Sequence, residues 1–406
     1  MTAILKGIRV LEVAEYVMAP AAAAVLADWG ADVIKVEHAE RGDMVRSTTS
    51  WGVRPGINGF TYVWEAFNRG KRSIGLDLSK PEAREILYDL IRKADVFVTN
   101  FLPRSRQKLG IDVDDVRRIN PDIIYGRGSA YGPHGPDAAK GGFDGLTYWE
   151  ETGASLSAMP REDGDLVSLP APAFGDSQVG MAFAGGLVAA LFHRERTGEA
   201  LVVDSSLLSG GMWAMQAALV GANLCGVEML RNGDRSKAAS PLTNSYRTSD
   251  GHFIALAMLQ GDKYWKDLCD LMERPDLASN PRYVDVEARG INNVALIAEL
   301  DRIFAQHPLA HWQALLSTQD GQWATVQPVG ALNRNAQALA NGFVQTVDYG
   351  GGRSINLVAS PVMFDGASPD LAPAPELGVD TEMVLNEDLG IDWDRILELK
   401  EIGAIT

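Results

Sequence analysis

The sequence predicts a doubly wound α/β domain joined to a smaller α+β domain, and three observations carry that expectation. Short apolar, strand-like runs alternate with helical stretches through the N-terminal half. The first such group, "IRVLEV" (8–13), "APAAAAVLADWG" and "DVIKVE" (32–37), fits strand, helix and strand into about thirty residues. That is a βαβ unit, which requires parallel pairing and a right-handed crossover. Near residue 225 the texture changes to a polar, turn-rich stretch that leads into a hairpin signal.

The first helix has Pro20 in its opening turn, where a missing N–H is tolerated, and Gly30 as its stop. "RSIGLDL" (72–78) reads as a third strand, in which Arg72 suits either a sheet-edge charge or a cofactor contact. "SKPEAREILYDLIRKA" has Ser79 as cap, an early proline, and Ile86, Leu87, Leu90 and Ile91 on one helical face. "DVFVTNF" and "DIIYGRG" are two more short strands ending in polar or glycine-containing turns. A long helix within "PAFGDSQVGMAFAGGLVAALFHRERTG" (172–198) and a strand "ALVVD" (200–204) complete the pattern. Sheets of this kind bind ligands beyond the carboxyl ends of their strands. Residues 1–225 thus form the large domain. In residues 226–330, Asp250-Gly251 between "SYRT" and "HFIALAM" marks a hairpin, and "DKYWKDLCDLME" and "NNVALIAELDRIFAQ" are amphipathic helices. Residues 331–406 carry a helix, some strands, an extended Pro/Ala-rich arm around 366–378, and two short terminal helices.

Composition narrows the function. The chain has 406 residues, enough for two or three domains, with 53 acidic against 37 basic residues and a net charge of -16. So acidic a surface excludes general binding to nucleic acid or an anionic membrane, and a pocket for a phosphorylated ligand must be built from a few placed residues. The two cysteines, Cys225 and Cys269, read as buried thiols in a reducing compartment and exclude a disulfide framework. The start lacks the pattern of a signal peptide, and the most apolar stretch, Met181 to Phe192, is too short to span a membrane. These features place the protein in the cytoplasm. The spacing of His, Cys and Asp suggests no metal site. The first βα turn, "AEYVMAP", lacks the G-x-G-x-x-G fingerprint, which disfavours a plain dehydrogenase.

Asp176 stands out as a lone carboxylate at the mouth of an apolar helix. In one reading Asp176 or Ser177 caps the helix by accepting its orphan N–H groups. In the other, the helix N-terminus favours an ionised carboxylate where a substrate can reach it.

Four segments taken together point to a family. "GIRVLEVAEYVMAPAAAAVLADWGADVIKVE", "FNRGKRSIGLDLSKPEAREILYDLIRKADVFVTNF", "INPDIIYGRGSAYGPHGP" and "GDSQVGMAFAGGLVAALFHRERTGEALVVDSSL" resemble, in order and spacing, the class III CoA-transferases. That family includes formyl-CoA and carnitine CoA-transferases and the related α-methylacyl-CoA racemases. The resemblance implies a Rossmann-like large domain completed by the C-terminal tail, and a homodimer whose chains interlock like two links. It implies acyl-CoA and small carboxylic acids as substrates, with Asp176 as the nucleophile that attacks the thioester. By the same resemblance Val17, Met18 and Ala19 lie along the pantetheine of CoA, and Leu76 lines the adenine slot. Asn100 and Phe101 contact the cofactor, and Lys108 supplies a charge on the phosphate side. His38 stands where many relatives carry an arginine near the phosphates, so its contact would be pH-dependent.

Departures from the family pattern bear on the reaction. Val17 replaces the glutamine of formyl-CoA-type enzymes, and only Gly233 stands where those enzymes have a glycine-run lid. The C-terminal pattern reads "LGVDT", with Val379 and Asp380. Phe143 occupies the position of the racemases' second base, and phenylalanine cannot transfer protons. His134, nearby in sequence, sits in a Pro/Gly turn that faces solvent. Racemisation therefore ranks below CoA transfer, and a non-catalytic acyl-CoA-binding protein is the other alternative. Phe143, Tyr148 and Trp149 suit larger, aromatic or branched acids, or equally a core.

Overall fold

The computed structural model describes residues 3–50, 52–160, 164–230 and 233–406. They form two compact units, one of Met1–Ser155, Ser168–Met229 and Asn333–Thr406, the other of Leu156–Val167 and Leu230–Leu332.

The larger unit is built on six strands: β1 (Arg9–Val13), β2 (Asp32–Glu37), β3 (Arg72–Gly75), β4 (Val96–Thr99), β5 (Ile124–Ser129) and β6 (Val202–Ser206). Their order is β3-β2-β1-β4-β5-β6, and every neighbouring pair is parallel. Strand alternation sends Val10 and Leu11 to opposite faces. On one face Val10, Val96, Val98 and Ile124 meet the helices Met18–Asp28 and Phe174–Thr197. On the other, Leu11, Ile34, Phe97 and Tyr125 meet Pro81–Arg92, Val113–Ile119 and Trp393–Glu401. A parallel sheet covered on both faces explains why its strands read as continuous apolar runs.

The C-terminal segment closes the β3 edge. Asp380 Oδ2 accepts the Ser73 N–H at 2.8 Å, Thr381 Oγ1 accepts the Gly75 N–H at 3.0 Å, and Leu76 bridges to Ile405. Asp380 is therefore an edge cap, while the side chain of Val379 is exposed. Arg72 is a sheet-edge charge, bound to Asp32 at 2.6 Å and Asp388 at 2.8 Å.

Several sequence expectations need correction. The third strand stops at Gly75, because Leu76 pairs with the C-terminus instead. Ser79 caps nothing: its helix opens at Pro81 after Lys80, and Ser79 turns back to donate to Asp77 Oδ1 at 2.7 Å. Cys269 is buried, but Cys225 is exposed at the end of Gln216–Cys225, a helix with no buried residue.

The smaller unit holds an antiparallel sheet of β7 (Thr243–Arg247), β8 (Phe253–Ala257) and β9 (Trp323–Thr325). The β7–β8 hairpin turns at Gly251, whose φ of 85° suits glycine. Leu268, Leu300, Phe304 and Trp312 pack from its helices onto Tyr246 and Ile254. Among the described residues no helix is long and apolar enough to cross a membrane.

A wholly buried charge lattice lies under the ends of β1 and β2. Lys35 Nζ reaches Glu12 Oε1 at 2.7 Å and Asp43 Oδ2 at 2.8 Å, and Lys71 Nζ reaches Glu12 Oε2 at 2.6 Å. Burial opposes the charge of Lys35, but Asp43 and Glu12 hold it protonated and raise its pKa. Burial of Glu12 is likewise outweighed by the two lysines, which lower its pKa. For Lys71 burial dominates, and its pKa falls to about 8. Lys35→Met would leave two carboxylates buried with too little positive charge. Urea unfolding of this variant should show a loss of about 3–5 kcal/mol. A loss below about 1 kcal/mol, the range of ordinary surface substitutions, would contradict the structural role of the lattice.

Candidate active site

The strand order places the site. After β1 the chain builds β2 and β3 on one side, then returns to lay β4 on the other, so the loops after β1 and β4 part and leave a crevice. Tyr16, Val17 and Met18 after β1, Asn100 and Phe101 after β4, and Ser129 at the end of β5 line a cavity of about 420 Å³ there. Phe143, Leu146, Asp176 and Leu207 complete its wall. A second cavity of about 380 Å³ lies beyond β2 and β3, lined by His38, Arg41, Leu76 and Ser79. Phe101 belongs to both.

Most sequence-selected positions thus converge on two adjoining cavities. Val17, Met18, Asn100, Phe101 and Asp176 line the first, and His38 and Leu76 line the second. Ala19 is wholly buried in the core and lines neither cavity. Lys108 is exposed on Pro103–Leu109 and also lines neither, although its neighbour Leu109 lines the second. The Asn100 side chain is engaged by protein. Its Nδ2 donates to Glu15 O at 2.6 Å and its Oδ1 accepts the Glu15 N–H at 3.1 Å, which ties the loops after β1 and β4 together. His38 Nδ1 accepts the Glu40 N–H at 3.2 Å. His134 is exposed and lines neither cavity, whereas Phe143 stands edge-on to Tyr16 at 5.3 Å.

Neither Asp176 nor Ser177 is a helix cap. The helix opens at Phe174, at least three residues earlier than that reading requires, and its N-cap is Ala173 with no side-chain bond. Ser177 Oγ donates to Phe174 O at 2.9 Å. The capping charge comes instead from Asp144, in the π-helical turn Asp144–Glu150. Burial raises its pKa, and the backbone N–H groups of Gly145, Gly175 and Asp176 oppose that rise. Asp144 carries no periodicity or motif of its own, and its one sequence-level pointer is that it follows Phe143.

Close approach explains two glycines. A Cβ on Gly175 would lie 2.4 Å from Tyr148 Cγ, so only glycine lets the π-helical turn close on the Asp176 helix. A Cβ on Gly180 would lie 2.7 Å from Ala21 Cβ and 2.9 Å from Met18 O, where this helix crosses the first. Two of the five described non-glycine residues with positive φ also lie here. Tyr16 (φ 65°) and Ala173 (φ 59°) are non-glycine residues in the left-handed region, one on the cavity wall and one at the start of the Asp176 helix.

Burial pushes the Asp176 carboxyl up to about 8, and the neighbouring Asp144 charge adds to the shift. The expectation that the helix N-terminus leaves Asp176 ionised is therefore corrected: desolvation and a like charge outweigh the dipole. Among the described residues no group of three His, Cys, Asp or Glu could hold a metal ion.

A half-buried carboxyl lining a cavity at the switch point of a parallel sheet is a site for chemistry on a ligand. Residues 5–381 match CoA-transferase family III, and the chain belongs to that family of enzymes. It is 32% identical to the (R)-2-hydroxy-4-methylpentanoate CoA-transferase of Clostridioides difficile, over 99% of each chain. It is 28% identical to the succinyl-CoA:glutarate CoA-transferase of Mus musculus, over 99% of this chain and 90% of that one. The crystal structure of a CAIB/BAIF family protein from Brucella suis superposes with a TM-score of 0.81 at 26% identity, covering 94% of this chain and 98% of that one.

The raised Asp176 pKa has a consequence for stability. Between its ordinary value and about 8 the folded state holds a proton that the unfolded state has released, so stability falls as pH rises through that window. Asp176→Asn removes this dependence. The variant should melt above the wild type at pH 8, with the gap closing toward about pH 4. A melting difference that does not change with pH would contradict the assignment.

Proposed function

We propose that the enzyme moves CoA from an acyl-CoA to a free carboxylic acid, with Asp176 as covalent nucleophile. One observation carries this reading: among the described residues Asp176 is the only acid lining the first cavity. Its ionised Oδ attacks the thioester carbonyl, forming a mixed anhydride and releasing CoA thiolate. The thiolate attacks the aspartyl carbonyl, giving an aspartyl-CoA thioester and the donor carboxylate. An acceptor carboxylate then attacks that thioester and releases thiolate again, and the thiolate takes the acceptor's acyl group to regenerate Asp176. Covalent catalysis divides the exchange into steps with reactive intermediates at each stage.

In this reading the pantetheine runs along the first cavity and the nucleotide occupies the second, with Phe101 at their junction. Val17, Met18 and Ala19 open the first helix, whose leading N–H groups precede its first internal bond, Ala21 N to Val17 O. Ala19 therefore acts through its backbone, as Met18 does, toward a developing oxyanion or a polar pantetheine group. His38 and Arg41 face the phosphates, Leu76 the adenine, and Lys108 adds charge from the rim. Asp144 sets the ionisation of Asp176 as a fixed like charge. No proton-transferring side chain opposes Asp176 at Phe143, which supports transfer over racemisation. The two CoA-transferases named above are those of a branched hydroxy acid and a dicarboxylic acid, so they leave the acid open.

The large domain takes the Rossmann-like role of nucleotide binding, and the enzyme works as a cytoplasmic homodimer of interlocked chains. Leu219, Val220 and Leu224, exposed on a helix with no buried residue, favour a second copy as cover. Sedimentation across a wide concentration range should then show no folded monomer, whereas a folded, reversibly dissociating monomer would contradict the interlock.

Mass spectrometry after mixing with an acyl-CoA should find CoA covalently attached at Asp176. Asp176→Ala should lose exchange by roughly a thousandfold or more while keeping its fold. In the wild type kcat/KM should rise with pH toward a plateau above about 8, since the nucleophile must be ionised. Exchange by Asp176→Ala within about tenfold of wild type would refute the mechanism.

A further inference from the structure

The cations around the Asp176 cavity define what its acyl end can accept. Among the described residues three line it, and each is already matched within the protein. Arg106 donates to Phe101 O at 2.6 Å and pairs with Asp112 at 3.1 Å. Arg127 grips both oxygens of Asp204, at 2.6 and 3.1 Å. Lys140, at the exposed rim, sits 4.5 Å over the Tyr131 ring and 3.6 Å from Glu151. The Asn100 amide is likewise held by the Glu15 backbone.

The apolar part of the lining is the reverse, large and uncovered. Phe143 and Leu146 are 54% and 58% exposed, beside Asp176 on the same wall, with Tyr16 edge-on to Phe143. Apolar side chains left open in a concave site gain free energy when an apolar ligand covers them. A second carboxylate on the acyl chain would gain nothing comparable. It would lose its hydration beside Asp176 and Asp144 and find no unmatched cation among the described residues that line the cavity.

We infer that this enzyme selects monocarboxylic acids with an apolar chain, aliphatic or aromatic, and discriminates against dicarboxylic acids of the same length. The inference rests on the proposed function only for where the thioester lies. Phe143 and Leu146 are its specificity-determining residues.

The test uses two thioesters that differ only at the far end of a six-carbon acyl chain, hexanoyl-CoA and adipoyl-CoA. Calorimetry on the full-length Asp176→Asn protein, which cannot turn them over, should show hexanoyl-CoA binding at least about tenfold tighter. Equal affinity, or tighter binding of adipoyl-CoA, overturns the inference. Phe143→Arg supplies the missing cation and should narrow that ratio or reverse it, whereas an unchanged ratio overturns the role of Phe143. Wild-type exchange assays with hexanoate and adipate keep the two readings apart. Absent exchange with the binding preference intact refutes covalent transfer and supports the pocket inference. Exchange that treats the two acids alike refutes the pocket inference alone.

Discussion

Lys35, enclosed by Glu12 and Asp43 and backed by Lys71, is the interaction on which the site depends. Four buried charges are costly to desolvate, and they persist only because each faces an opposite charge at contact distance. Their positions tie β1, β2, the loop after β2 and the residue before β3 to one point. Asp43 then passes the constraint on. Its Oδ1 accepts the Tyr16 N–H at 3.1 Å, and Asn100 grips the adjacent Glu15 from the other side of the switch point. The turn after β1 is thereby held from both sides, Tyr16 is kept in its left-handed conformation, and the first helix starts at a defined place. Gly180 brings the Asp176 helix against that start, so the position of the carboxyl follows from the lattice through a short chain of contacts.

In the proposed mechanism the electrostatics around Asp176 serve reactivity at the expense of stability. A carboxylate in water is a weak nucleophile because it is well solvated. Here burial and the Asp144 charge raise the energy of the anion, which makes it more basic once formed. Burial raises the Asp144 pKa as well, and the backbone N–H groups of Gly145, Gly175 and Asp176 oppose that rise only in part. In the proposed mechanism two neighbouring carboxyls divide their roles, Asp176 as the reactive group and Asp144 as its neighbour. The strained Ala173 and Tyr16 belong to the same pattern of local cost at a functional site.

The parallel sheet was legible because its strands are buried on both faces and therefore apolar along their whole length. The helices showed in their periodicity, and Asp176 in its contrast with the apolar segment behind it. What escaped was whatever depends on contacts distant in sequence. Glu12 and Lys35 sit inside apolar strands, an anomaly a reader can see, but their pairing with Asp43 and Lys71 exists only in three dimensions. Asp144 has no signal because it caps a helix that begins some thirty residues later. Helix starts were misplaced at Ser79 and Asp176 for one reason: a residue suited to capping proves nothing unless the chain turns there. The double engagement of Asn100 with Glu15 was equally invisible, since it joins loops that only the strand order brings together.

The most direct measurement follows oxygen. If CoA transfer passes through an anhydride on Asp176, an acceptor acid carrying 18O in both carboxyl oxygens must leave one of them on the enzyme. The acid's oxygen bridges to the aspartyl carbonyl, and thiolate attack on the acceptor's carbonyl strands it on the side chain. After a single turnover, mass spectrometry of the digested protein should find one 18O in the Asp176 carboxyl and one in the new acyl-CoA. An unlabelled Asp176 peptide alongside a labelled thioester product would contradict covalent transfer through this residue.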